Sequence, residues 1–193
     1  MVLFKACGRK QGFGCLSVFF YLLFAYFLLQ AISVTAEEVR VTKIKAAHVF
    51  HLTKFTTWPE AAFSKDGSNF RVCVVGDENM LEFLSQITSG RDIQGKAYKI
   101  EGFKSTSTVS EVETCKILYL GSGAGSSGDS LAKKLVGKPV LSIGGAMKSI
   151  PAAIVNFYEN DNKLGIQVDV SLAKKASLAI SAELLSLAKV IGD

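Results

Sequence analysis

The run Cys115-Lys116-Ile117-Leu118-Tyr119-Leu120 constrains this chain more than any other stretch. A half-exposed strand alternates apolar and polar residues, and this one is apolar nearly throughout. Such strands are buried on both faces of a parallel sheet. Parallel neighbours cannot be joined by tight turns; they need crossovers, usually helical and right-handed. The sequence supplies them. Phe70-Arg71-Val72-Cys73-Val74-Val75 reads as a strand, and Gly76-Asp77-Glu78 opens a helix that runs to about Ile87. Ala97 to Phe103 is a further strand. After Leu120 comes a loop rich in Gly and Ser, Gly121 to Gly128, then a helix from Asp129 to Val136 and a strand from Pro139 to Ile143. This alternation predicts an α/β domain with a mainly parallel sheet.

The flanks differ from the middle. Residues 37–57 carry an apolar stripe near helical period, including Val41, Ile44, Phe50, Leu52 and Phe55. Trp58-Pro59 stops that helix, because the residue before a proline is pushed out of the helical region. Near the other end, Ala152–Tyr158 and Lys163–Val168 flank the polar cluster Glu159-Asn160-Asp161-Asn162, which predicts a C-terminal hairpin. Two helices are expected after it, near Val170–Ala176 and Leu178–Val190.

The first 36 residues have another logic. Lys5, Arg9 and Lys10 precede an apolar stretch from Cys15 to Ile32, and Val34-Thr35-Ala36 puts small or short side chains before Glu37. This is the three-part pattern of a secretory signal. The expected division is a signal peptide at 1–36 and one α/β domain at 37–193. An uncleaved membrane anchor is the alternative, since the apolar stretch reaches the lower limit of a spanning helix. Cys15 starts the apolar run rather than following it, a poor position for lipid attachment. The segment also explains the charge. The chain has a formal net charge of +5, with 22 basic and 17 acidic residues. Three of the basic residues and none of the acidic ones lie in 1–36, so the remainder is close to neutral. That gives little reason to expect a nucleic-acid partner, which would require a concentrated basic face.

Chemical motifs are present but incomplete. Gly123-x-Gly125-x-x-Gly128 has the dinucleotide-binding spacing between a strand and a helix and marks a possible ligand loop. The acidic residue that should follow at the end of the next strand is missing from Pro139-Val140-Leu141-Ser142-Ile143-Gly144. Gly128-Asp129-Ser130-Leu131 spells an esterase tetrapeptide, yet the only histidines, His48 and His51, lie upstream of it. Ser130-x-x-Lys133 and Ser171-x-x-Lys174 have a Ser-Lys spacing without the accompanying motifs. His48 and His51 share a helical face, but two ligands do not make a metal site. No catalytic residue, metal or cofactor is predicted. Cys73 and Cys115 are the only cysteines after residue 36, each on a predicted strand. An even count in an oxidising compartment suggests a disulfide; two buried free thiols are the alternative.

Several segments together resemble a known family. They are Phe55-Thr56-Thr57-Trp58-Pro59, the strand Phe70 to Gly76, Cys115 to Leu120, Lys138-Pro139-Val140-Leu141-Ser142-Ile143, Ile154-Val155-Asn156-Phe157 and the helical pattern from Ala173 to Ala188. In this order they resemble the YfiR-like family of periplasmic proteins, over nearly all of residues 40–191. The resemblance implies a three-layer α/β/α sandwich and a non-enzymatic role. It also implies a homodimer that binds the periplasmic part of a membrane-bound diguanylate cyclase and lowers cyclic-di-GMP synthesis. By the same analogy Cys73 and Cys115 form the structural pair, with a possible link between oxidation and activity. Val168-Asp169 stands where the family usually has Ile-Asn. A periplasmic small-molecule sensor, with a pocket near Gly121–Gly128, and an accessory factor of an envelope complex are the competing expectations.

Overall fold

The computed structural model describes residues 37–63, 69–145, 148–160 and 163–192. The expected signal segment at 1–36, Asp161-Asn162 of the expected hairpin turn, and Ala146-Met147 lie outside the described residues. The chain divides into two units, Met1–Val41 and Thr42–Asp193. In the first, Glu37 and Arg40 form an exposed ion pair one helical turn apart. The second unit holds the sheet.

Helix α1 spans residues 37–55. It leads into β1 (Thr56–Thr57), then β2 (Asn69–Val75), α2 (Glu78–Thr88), β3 (Asp92–Ile93) and β4 (Lys96–Phe103). Next come α3 (Val109–Val112), β5 (Ile117–Leu120), α4 (Gly125–Leu135), β6 (Leu141–Gly144) and β7 (Val155–Asn160). The chain continues through β8 (Lys163–Asp169), α5 (Val170–Lys175), β9 (Ala179–Ile180), α6 (Ala182–Leu187) and β10 (Lys189–Ile191). Eight strands form one sheet in the order β10-β8-β7-β6-β5-β2-β4-β3, and β1 pairs with β9 in a separate two-stranded ribbon. The block from β7 through β6, β5 and β2 to β4 is parallel. Only β7–β8 and β3–β4 run antiparallel in the large sheet. The expected hairpin is therefore present as β7–β8, with Val155 opposite Val168.

The apolar side chains separate into two clusters, one on each face. Alternate β2 residues Phe70, Val72 and Val74 face the first, with Ala46, Val49 and Leu52 of α1 and Met80 and Leu84 of α2. Cys73 and Val75 face the second, with Leu131, Ala132 and Leu135 of α4 and Val112 of α3. This is the three-layer sandwich, and the period of two along β2 sorts its side chains between the layers. All four residues of β5 are buried, as the opening run requires. The Trp58 indole N–H donates to the Lys116 carbonyl at 3.0 Å and its ring meets Phe70 edge-on, which anchors the turn after α1.

Several boundaries differ from the sequence reading: Cys115, expected on a strand, precedes β5, and the strand expected from Pro139 begins at Leu141. The last turn assigned to the first helix is β1, because Thr56 and Thr57 pair with Ile180 and Ala179. Helix α4 starts at Gly125, so most of the Gly/Ser-rich stretch is helical rather than an open loop. The strand expected from Ala152 begins at Val155, after a turn closed by Ala153 N–H donating to the Ile150 carbonyl. The single helix expected over Leu178–Val190 is broken into β9, α6 and β10. Ser177 ends α5 with φ of 56°, outside the helical region. Ser181 then starts a new helix, its hydroxyl accepting from the Leu184 N–H.

Candidate functional site

Open parallel sheets bind ligands at the switch point, outside the carboxyl ends of two strands whose crossovers leave in opposite directions. Here β2 crosses to β4 on one side, and β5 crosses to β6 on the other. The crevice therefore belongs between Gly76-Asp77 and the segment from Gly121, where the fingerprint glycines also fall.

The protein's own backbone occupies that position. The Gly121 N–H donates to the Val75 carbonyl at 2.8 Å, and the Gly123 N–H donates to the Gly76 carbonyl at 3.0 Å. Gly76 has φ of +69°, and a Cβ there would stand 2.3 Å from the Ala124 nitrogen. The two loops touch so closely that neither Gly76 nor Gly123 has room for a side chain. The Gly123 N–H that a phosphate would need is bonded to Gly76, and Gly128 is buried within α4. Gly125 begins α4 with open space beside it. The glycines thus sit together at the switch point, in backbone contact with Gly76. Asp77 caps α2 by accepting from the Met80 N–H at 2.9 Å. The Tyr119 phenol feels the same carboxylate; burial, and then the charge of Asp77, drives its pKa far upward. Tyr119 is therefore neutral. Sequence reading missed this pair, for which no local spacing gives a signal.

A disulfide joins Cys73 of β2 to Cys115, with Cα atoms 6.0 Å apart and a sequence separation of 42. Cys115 is held in the turn after α3, where its N–H donates to the Val112 carbonyl at 3.1 Å. Both cysteines are buried in the second cluster, at 0% and 1% exposure. On the same face of β2 as Cys73, Arg71 donates to Glu101 of β4 at 2.6 Å and to the Thr114 hydroxyl. Lys99 lies 3.0 Å from the same carboxylate. Partial burial raises the Glu101 pKa, but hydrogen bonds from Arg71 and Lys99 outweigh it, and the net shift is downward.

The remaining sequence motifs do not converge. His48 is half-buried, its ring 6.1 Å from Phe157, and its pKa is lowered by burial and then by His51, which is exposed. Among the described residues no cluster of three or more His, Cys, Asp or Glu could hold a metal. Ser171 donates to Asp169 at 2.9 Å, so its hydroxyl is engaged in the cap of α5. Asp169 accepts from the Leu172 N–H at 2.9 Å. Asp and Asn are equivalent as N-caps, so the departure from Ile-Asn keeps the local structure. Ser130 and Lys133 are exposed on α4. Among the described residues, two of the surface cavities are well formed. The larger, about 450 Å³, lies between the end of α2 and the start of β4. The smaller, about 290 Å³, lies between the loop after β4 and α4.

These features define a disulfide-stapled α/β/α sandwich whose switch-point crevice is closed by paired glycine loops. Within that class the assignment is specific: the chain belongs to the YfiR/HmsC-like family, whose sequence model matches residues 42–189. No curated protein matches the chain.

Proposed function

We propose that this protein is an exported, non-enzymatic regulator that binds the periplasmic part of a membrane-bound diguanylate cyclase and lowers its output. Family membership over residues 42–189 carries this reading. On it, residues 1–36 are a signal peptide, residues 37–193 are the functional domain, and the working form is a homodimer. Three observations support it. The basic, apolar and small-residue order of the first 36 residues is that of an export signal. A disulfide such as Cys73–Cys115 persists in an oxidising compartment. The closed loops at Gly76 and Gly123 put backbone where a nucleotide phosphate would bind, which favours a surface-binding role over catalysis in that crevice. Among the described residues no helix is long and apolar enough to cross a membrane.

The burial of both sulfurs favours a structural role for the bridge, with redox state acting through stability rather than by direct exposure of a thiol. The test is to find a membrane cyclase encoded beside this gene, purify its periplasmic segment, and measure binding to the exported protein with and without reductant. Binding is expected in the oxidised state, with cellular cyclic-di-GMP rising when the gene is deleted. Failure to bind in either redox state would reject this function.

A further inference from the structure

We propose that the smaller cavity binds an acidic sugar: a six-membered ring carrying a carboxylate or a phosphate. The cavity lies at the carboxyl end of β4, the side of a parallel sheet where ligands collect. Its walls are the Ser105–Val109 loop and one face of α4, where Ser127, Ser130 and Lys134 recur at helical spacing.

The hydrogen-bonding balance separates this cavity from the larger one. In the larger cavity most of the hydroxyls are already engaged, and Arg91 lies over the Phe50 ring. Ser85 donates to the Leu81 carbonyl, Thr88 to the Leu84 carbonyl, Tyr98 bonds Thr53, and Asp92 accepts from the Gly95 N–H. In the smaller one, Thr108 is spent on the cap of α3. The side chains of Ser105, Thr106, Ser107, Ser127, Ser130 and Lys134 have no partner among the described residues. Five unengaged hydroxyls and one ammonium therefore converge on about 290 Å³.

The chemistry of those groups selects the ligand. A hydroxyl both donates and accepts, so an array of them is matched by a molecule whose own groups do both. Sugar hydroxyls do this; a bare oxyanion only accepts. Leu131, on the inward side of α4, and Val109 give the cavity its apolar wall for the C–H face of a ring. Lys134 supplies the cation for the acidic substituent. The volume lies at the small end of the range for small-molecule pockets, which suits one ring rather than a chain.

The test is calorimetric titration of the protein, as the cell processes it, with four probes: a hexuronate, a hexose phosphate, the neutral hexose and inorganic phosphate. Saturable binding of either acidic sugar is expected, with the neutral hexose about tenfold weaker. Lys134→Met should remove that preference, and Ser127→Ala with Ser130→Ala should weaken both acidic sugars about tenfold. Ser130 and Lys134 are exposed, so unchanged thermal midpoints will show that these variants fold. Absence of saturation by both acidic sugars would overturn the proposal. So would inorganic phosphate binding as tightly as the hexose phosphate, or an unaltered preference in Lys134→Met.

Discussion

Removing the Cys73–Cys115 bridge is the most informative perturbation, because its effect follows from chain connectivity alone. The bridge closes a loop with a sequence separation of 42 residues, which contains β4 and α3. In the chain-entropy account, closing a loop of that length costs the denatured chain ~4 kcal/mol of freedom. The Cys73→Ala, Cys115→Ala double variant regains that freedom and should lose at least as much stability. For a domain of this size the expected fall in Tm is roughly 8–16 °C, at about 2–4 °C per kcal/mol. In urea, with m about 2 kcal/mol/M, the midpoint should drop by about 2 M. Oxidised and reduced wild-type protein should differ in the same direction. The burial of both sulfurs adds a kinetic expectation. Without denaturant, a dithiol should reduce the bridge only through opening of the fold, so destabilising variants should be reduced faster. A midpoint unchanged by reductant would refute the reasoning, as would ready labelling of both thiols after denaturation without reductant.

Other perturbations probe single features. Gly76→Ala forces a Cβ into the left-handed region and against the Ala124 nitrogen, so a loss of about 2–5 kcal/mol is expected in urea unfolding; an unchanged midpoint would mean the switch point is not closed. Asp169→Ala should cost about 1 kcal/mol through loss of the α5 cap, whereas Asp169→Asn should be nearly neutral; thermal unfolding of the pair separates capping from charge. Burial lowers the His48 pKa below its ordinary value of 6.5, so the unfolded chain takes up the proton first as pH falls. The contribution of His48 is thus present above pH 6.5 and is lost as pH drops through the lower folded value. His48→Gln should flatten that part of the pH–stability curve measured by urea midpoints, and identical curves for the two proteins would exclude it.

The sheet was legible wherever burial is written into consecutive residues. The β5 run announces a strand covered on both faces, and Phe70–Val75 announces its neighbour, although which of its side chains enter each layer is seen only in the fold. The elements that escaped the sequence reading are short and paired at a distance. Thr56 meets Ile180, and Val190 meets Val168. Two or three residues carry no readable period, and nothing local marks such partners. The stretch from Leu178 to Val190 satisfies helical spacing, but the positive φ at Ser177 and the cap at Ser181 divide it. The candidate site was half legible for the same reason. The spacing of Gly123, Gly125 and Gly128 is local and visible, whereas the contact with Gly76 that gives Gly123 its role comes from folding. Cys73 and Cys115 are the only cysteines after residue 36, yet their meeting depends on β2 and β5 being neighbours.

The strand order also implies an uneven resistance to opening along the sheet. Every residue of β5 and β6 is buried, while all three of β10 are exposed and Leu187 beside it is 80% exposed. Amide hydrogens of β5 and β6 should therefore exchange with solvent only when the whole domain unfolds. Those of β10 should exchange through local fraying that leaves the β7–β8 hairpin intact. The molecule would then have a rigid centre bonded to a yielding margin, and β8 would be uncovered for brief intervals as a template for another strand.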